Sequence, residues 1–171
     1  MVWRRALAAM AGWPATMNAL RVALNLTAAD LAEPAMAEEL LALAAEAGVA
    51  PSRLTVEITE SAIIERLDAA AESLTVLRAA GMHAALDDFG SGYSGLSWLK
   101  RLPVDYIKID SRFVRDAASD ARGRTLLRGV VDLASALDLG VLAEGVENAA
   151  QRDRLRDLGC RWYQGWLRAP A

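Results

Sequence analysis

The chain has almost none of the residues that build soft metal sites. One cysteine (Cys160) and one histidine (His83) occur in 171 residues. A single cysteine cannot form an internal disulfide, so a disulfide framework is excluded. A zinc site assembled from His and Cys ligands is excluded with it, and any metal here must sit on oxygen donors. An excess of positive charge is also missing: 19 Lys+Arg against 22 Asp+Glu leave a net charge of -3. Binding to DNA or RNA polymers normally shows as a basic face, and nothing in the composition asks for one. No apolar run approaches the ~18 residues of a membrane span. Arg4-Arg5 followed by the apolar stretch Ala6 to Trp13 has the outline of a short signal sequence. It lacks a clean small-x-small cleavage site, however. The amphipathic helix with Trp3, Leu7 and Met10 on one face is the better account, and a cytoplasmic chain is expected. That helix has no N-cap residue, as though the chain starts inside an element.

Hydrophobic residues make up 54% of the chain, enough to give one domain, residues 1–171, a substantial core. Helical and extended patterns alternate throughout. Strands are expected at Arg21–Leu26, Leu54–Ile58, Met82–Asp87, Asp105–Ile109, Val141–Ala143 and Arg161–Gln164. Helices are expected at Asp30–Ala47, Ser61–Ala80, Ser94–Arg101, Asp120–Leu137 and from Asn148 onward. Gly48, Gly81, Gly140 and Gly159 stand where left-handed residues would stop helices. The Asp30–Ala47 helix carries an apolar stripe of Leu31, Leu40, Leu41 and Ala44. In the Asp120–Leu137 helix the apolar residues in phase are Leu126, Val130, Leu133 and Leu137. Asn148 and Gln151 have the spacing of a capping box. Six strands alternating with helices predict an α/β fold with a parallel sheet.

A polar residue ends each strand. In order these are Asn25, Glu57, Asp87 with Asp88, Lys108 with Asp110, Glu144 and Gln164. Their spacings of 32, 30, 21, 36 and 20 residues are those of successive βα units. In a β/α barrel the C-terminal strand ends converge on one mouth, which would gather these side chains into an oxygen-rich basin holding one amine. One carboxylate after a strand is most often a helix cap or a solvated turn residue. Several together repel one another and are costly to desolvate. Hard divalent cations such as Mg²⁺, Mn²⁺ or Ca²⁺ resolve that cost. Adjacent carboxylates such as Asp87-Asp88 can turn different ways to bridge two ions, a common arrangement in phosphoester hydrolysis. Asp88 is followed by Phe89-Gly90-Ser91-Gly92-Tyr93-Ser94-Gly95-Leu96. This glycine-rich run reads as a mobile loop beside the site. His83 lies away from its strand's C-terminal end, and the tryptophans read as packing residues, with Trp166 near the mouth.

These residues together resemble the EAL-domain family, bacterial phosphodiesterases that hydrolyse cyclic di-GMP. The resemblance rests on Asn25 in VALNLT, Glu57 and Glu60 in VEITES, and DDFGSGYSGL from Asp87 to Leu96. It continues in LPVDYIKID from Leu102 to Asp110, AEGVEN from Ala143 to Asn148 and YQGW from Tyr163 to Trp166. It implies a TIM-type (β/α) barrel, of which six of eight strands are recognisable here. It implies two divalent cations, Mg or Mn, held by Asn25, Glu57, Asp87 and Asp88. Lys108 would position the attacking water, and Glu144 would be the base or a further ligand. Glu60 would anchor the glycine-rich loop, Glu147 and Gln164 would support the site, and a homodimer is expected. The chain departs from the family in having no Glu-Ala-Leu tripeptide, whose Glu binds metal. Its first helix matches the helix that follows the tripeptide's strand. The chain therefore reads as an N-terminally truncated domain, shorter by roughly 80 residues than a typical barrel. Absent strands would expose two sheet edges, which dimerisation or strand exchange would cover. The function implied is opening of cyclic di-GMP to linear pGpG. The missing Glu motivates an alternative, a non-catalytic cyclic di-GMP sensor or protein-interaction module. Another metal-dependent β/α-barrel activity is a third reading.

Overall fold

The structure is a computed structural model that describes residues 2–90 and 96–168. Six strands alternate with helices, as expected of an α/β chain, and lie in the sheet in the order β1-β2-β3-β4-β5-β6. They are β1 (Val22–Leu26), β2 (Leu54–Thr59), β3 (His83–Phe89), β4 (Tyr106–Ile109), β5 (Gly140–Ala143) and β6 (Trp162–Tyr163). The residues fall into two compact units, Met1–Ala85 with Ser94–Val104, and Leu86–Tyr93 with Asp105–Ala171.

In the first unit, β1 and β2 pair in parallel, with Asn25 opposite Glu57. Helix α1 (Val2–Ala11) buries Trp3, Leu7 and Met10, the face its spacing predicts. Each such side chain contributes about 1.5–3 kcal/mol when fully buried. The expected Asp30–Ala47 helix is instead two, α2 (Ala28–Leu31) and α3 (Met36–Glu46). Pro34 is the cause: it lacks an N–H, and its ring disfavours a helical conformation at Glu33. Thr27 and Asp30 close a capping box on α2, each bonding the other's backbone N–H. Of the expected stripe, Leu31, Leu40 and Ala44 are buried, and Leu41 is half-buried. The Ser61–Ala80 helix also divides, into α4 (Glu60–Glu65) and α5 (Leu67–Ala79), with Arg66 out of helical geometry between them. Gly48 adopts φ +67°. Val49 N–H bonds Ala44 O and Gly48 N–H bonds Ala45 O, at 2.9 and 3.0 Å, which completes a Schellman stop.

In the second unit, β4 pairs with β5 and β5 with β6, both in parallel. Helix α6 (Ser111–Ser119) has no counterpart among the expected elements. Only Val114 and Ala117 are buried in it, too few to give a clear stripe, but Asp110 caps it by accepting from Arg112 N–H. Helix α7 (Ala121–Ala136) buries Gly123, Leu127, Val131 and Ala134. The expected stripe is therefore set one residue off, and Leu126 is left exposed. Leu126-Leu127 and Val130-Val131 offer two candidate faces. The contact of Gly123 with the backbone at Asp116 selects between them. Asp138, at φ +56°, ends α7 in place of Gly140, which instead begins β5. Gly140 is needed there because the Trp162 ring lies over it, where a Cβ would come within 2.7 Å. Helix α8 (Ala149–Asp157) opens with the capping box of Asn148 and Gln151. No helix among the described residues is long and apolar enough to cross a membrane.

Candidate active site

The second unit brings five of the expected polar residues together. Lys108, on β4, is buried. Its Nζ lies 2.9 Å from Asp87 Oδ1 and 2.9 Å from Glu144 Oε1. Asp87 sits near the end of β3 and Glu144 directly after β5. Glu144 is held there by its own N–H, which donates to Ile109 O at 3.0 Å. Gln164, just past β6, donates through Nε2 to Glu144 Oε1 at 2.6 Å. One carboxylate oxygen of Glu144 thus takes both the lysine and the amide.

Asp88 joins the group through its backbone. Alternation along a strand would send it to the face opposite Asp87. Instead Asp88 takes φ +54°, a left-handed conformation that is more usual for glycine. Carboxylate oxygens of Asp87, Asp88 and Glu144 consequently lie within 4.8 Å of one another. Such a conformation costs roughly 1–3 kcal/mol and persists where surrounding structure fixes it. Asp88 N–H donates to Asp87 Oδ1 at 3.0 Å, which steadies the pair.

Three carboxylates and one ammonium leave two net negative charges, the charge that one divalent cation balances. Oxygen donors this close suit a hard cation, so the residues present fit such an ion. Asp110 directly follows β4, the strand that carries Lys108. Burial pushes its carboxyl up, but the hydrogen bonds and charge of Arg112 outweigh this and hold it below the usual carboxylate range. The Arg112 guanidinium is raised, chiefly by its hydrogen bond to Asp110 and secondarily by the charges of Asp110 and Asp88. Arg112 was not among the expected site residues. The available signal was its place two residues beyond Asp110, at the start of a helix that the apolar pattern does not reveal.

The remaining expected residues are placed as follows. Asn25 and Glu57 are register partners in the first unit, an amide beside a carboxylate. Glu60 is buried at the start of α4. Glu147 is exposed, in the turn before α8, and its N–H donates to Gln151 Oε1 at 2.8 Å. Its side chain is not in the Asp87–Asp88–Glu144 group. The glycine-rich loop falls on residues 91–95, outside the described residues; the first of its glycines, Gly90, is described and packs against Phe113. His83 opens β3, away from its C-terminal end. Trp162 and Trp166 are exposed, and Trp3 and Trp98 are buried.

Comparison with known proteins identifies the family. The sequence model of the EAL domain matches residues 1–171. The cyclic di-GMP phosphodiesterase RocR of Pseudomonas aeruginosa is 39% identical over 148 residues, 86% of this chain and 38% of RocR. A solved complex of the Pseudomonas MucR phosphodiesterase with cyclic di-GMP superposes with a TM-score of 0.89 at 36% identity, covering 99% of this chain and 69% of that one. The Klebsiella pneumoniae protein BlrP1, solved with calcium and cyclic di-GMP, gives 0.87 at 35% identity over 97% of this chain and 42% of its own. Its manganese complex gives 0.86 at 34% identity, over 96% and 42%. The chain spans between 19% and 38% of the length of the curated relatives it matches. With a family match along its entire length and motifs in the family's order, the chain belongs to the EAL domain family.

Proposed function

We propose that this chain is a divalent-cation-dependent phosphodiesterase that opens cyclic di-GMP to linear pGpG. The observation that carries the reading is the group of Asp87, Asp88 and Glu144 around buried Lys108, two positive charges short of neutrality. Asp87, Asp88 and Glu144 would hold a cation. For Asn25 and Glu57 the ligand role rests on their pairing within the first unit and on the family motifs. A second cation would require further negative charge, which Glu57 and the phosphodiester substrate carry. When bound, the cations would supply a more acidic water and stabilise the negative charge that develops on the phosphoryl oxygens.

The chain's own residues do the rest. Lys108 Nζ is fixed by Asp87 and Glu144 together, so its position needs no reorganisation during the reaction. From there it orients the attacking water and offsets charge developing on the phosphoryl oxygens. Glu144 Oε1 is occupied by Lys108 and Gln164. Its second oxygen carries neither bond and is the atom left to accept the water's proton or, as the alternative, to join the cation's oxygen donors. Glu60 and Glu147 are assigned supporting roles, a homodimer is the expected assembly, and the substrate's signalling role points to the cytoplasm.

The test incubates the purified chain with cyclic di-GMP and Mn²⁺ or Mg²⁺ and resolves products by chromatography. Formation of pGpG that stops with chelator and with Glu144→Gln supports the reading. Intact substrate overturns it. Saturable nucleotide binding without turnover would then identify a sensor, and absence of binding an interaction module. Light scattering on the same sample reads the assembly state.

A further inference from the structure

Two of the site's polar residues are followed at once by glycine: Glu144 by Gly145 and Gln164 by Gly165. In neither case is the glycine there for chain flexibility. Gly145 takes φ +67°, and a Cβ built on it would lie 2.5 Å from Ser111 Cβ. Gly165 takes φ +152°, and its Cβ would lie 2.3 Å from Val146 N and 2.4 Å from Val146 O. The obstacle at Gly165 is backbone, which cannot swing aside as a side chain can.

The close approach has a product. The β5–β6 ladder continues past both strands: Gln164 N–H bonds Ala143 O at 2.9 Å, and Val146 N–H bonds Gln164 O at 3.0 Å. Leu167 N–H then bonds Val146 O, also at 3.0 Å. The two turns are thus laced together across Gly165, and the lacing sets Gln164 Nε2 at 2.6 Å from Glu144 Oε1. Relieving a 2.3 Å contact to the 3.4 Å of ordinary packing needs a shift of 1.1 Å. A hydrogen bond lengthened by that much is lost.

We infer that Gly165 and Gly145 are positioning residues that lock Gln164 onto one oxygen of Glu144, reserving the other for the reaction. The catalytic consequence rests on the phosphodiesterase reading; the lock itself does not. The test records the Gln164 side-chain amide by ¹⁵N NMR in the full chain, with Gly165→Ala compared against Gly129→Ala. Gly129 lies in α7, where an added Cβ meets nothing. The expected result is that the Gln164 amide of Gly165→Ala moves to the position of an amide bonded only to water and its proton exchange quickens at least tenfold. Gly129→Ala leaves both unchanged. With turnover established, kcat of Gly165→Ala falls at least tenfold while KM stays within twofold. An unshifted Gln164 amide in folded Gly165→Ala overturns the inference, whether or not the wild-type chain turns over. Should Gly165→Ala fail to fold, Gly145→Ala decides. It is expected to shift the Gln164 amide, and added Ser111→Gly, which removes the obstructing Cβ, is expected to restore it in part. Failure of that rescue overturns the inference as well.

Discussion

Replacing Lys108 by methionine tests the electrostatics of the site most directly, because the shape is kept and the charge removed. At 2.9 Å from each of two carboxylates, the ammonium gains about 6 kcal/mol per contact at an effective dielectric near 20. Stripping water from a lysine whose side chain is only 8% exposed offsets most of that gain. The loss on truncation is then set by what remains. Three carboxylates stay within 4.8 Å of one another with no cation, each pair repelling by at least about 3.5 kcal/mol in the same dielectric. Breaking a buried ionic group by removing one partner typically costs about 3–5 kcal/mol. Lys108→Met should lose that much in urea unfolding without divalent ions, and its Tm should fall by roughly 10 °C or more. The variant cluster carries three net negative charges, where the native one carries two. Mn²⁺ should therefore bind the variant more tightly and stabilise it more than the wild type, a protein at a hundredfold excess over its own Kd gaining about 2.7 kcal/mol in total. Exposed Lys100→Met is the control and should stay within about 0.5 kcal/mol. A loss below about 1 kcal/mol, or equal Mn²⁺ effects on variant and wild type, would refute the reasoning.

Helix α7 holds two glycines whose replacement by alanine should act in opposite directions. Gly129→Ala adds a Cβ in open space and should stabilise by about 0.5–1 kcal/mol through helix propensity. Gly123→Ala drives a Cβ to 2.4 Å from the Asp116 carbonyl carbon and should destabilise by about 1–3 kcal/mol, read by urea denaturation. Asp110, held below its ordinary range against the effect of burial by Arg112, should contribute stability that is complete above about pH 4. That contribution is lost as pH falls through the lower folded value, and Asp110→Asn should flatten the acid limb of the stability profile. Burial raises the Cys160 thiol, so the opposite limb applies. Stability from the neutral thiol holds below about pH 8.5 and declines above it as the unfolded chain ionises first. Cys160→Ala should remove this alkaline slope, and a thiol reagent should label Cys160 only on unfolding.

Several helix termini were legible from a local signal, although Gly140 misled, since Asp138 ends α7 and Gly140 begins β5. Gly48, Gly81 and Gly159 all adopt positive φ, and the Asn148–Gln151 capping box forms in both directions. The apolar face of α1 was equally plain, because Trp3, Leu7 and Met10 recur at helical spacing with no rival set. Where two sets compete, pattern alone fails. The paired leucines and valines of α7 define two faces, and only the approach of α6 to Gly123 decides which is buried. Helix α6 shows the converse. Two buried residues make no stripe, so its existence depends on the Asp110 cap and on packing that local sequence does not encode.

The site divides along the same line. Which residues meet was legible from position: polar residues near the strand ends point where the strands end, and Lys108, Glu144 and Gln164 come together for that reason. How they meet was not. Pattern places Asp88 on the wrong face, and a single left-handed residue turns it into the cluster. The charge account was only half legible. The carboxylates pointed to cations, but Lys108 takes up one of their three charges, so the second unit's cluster alone balances one divalent ion rather than two. A Mn²⁺ titration of the chain without nucleotide should therefore find one strong site in this cluster, lost in Asp87→Asn and in Glu144→Gln. Addition of cyclic di-GMP, whose phosphates bring further negative charge, should raise the bound stoichiometry. Two strong ions without nucleotide that both persist in Glu57→Gln would show that the charge balance of Asp87, Asp88, Glu144 and Lys108 does not govern cation binding.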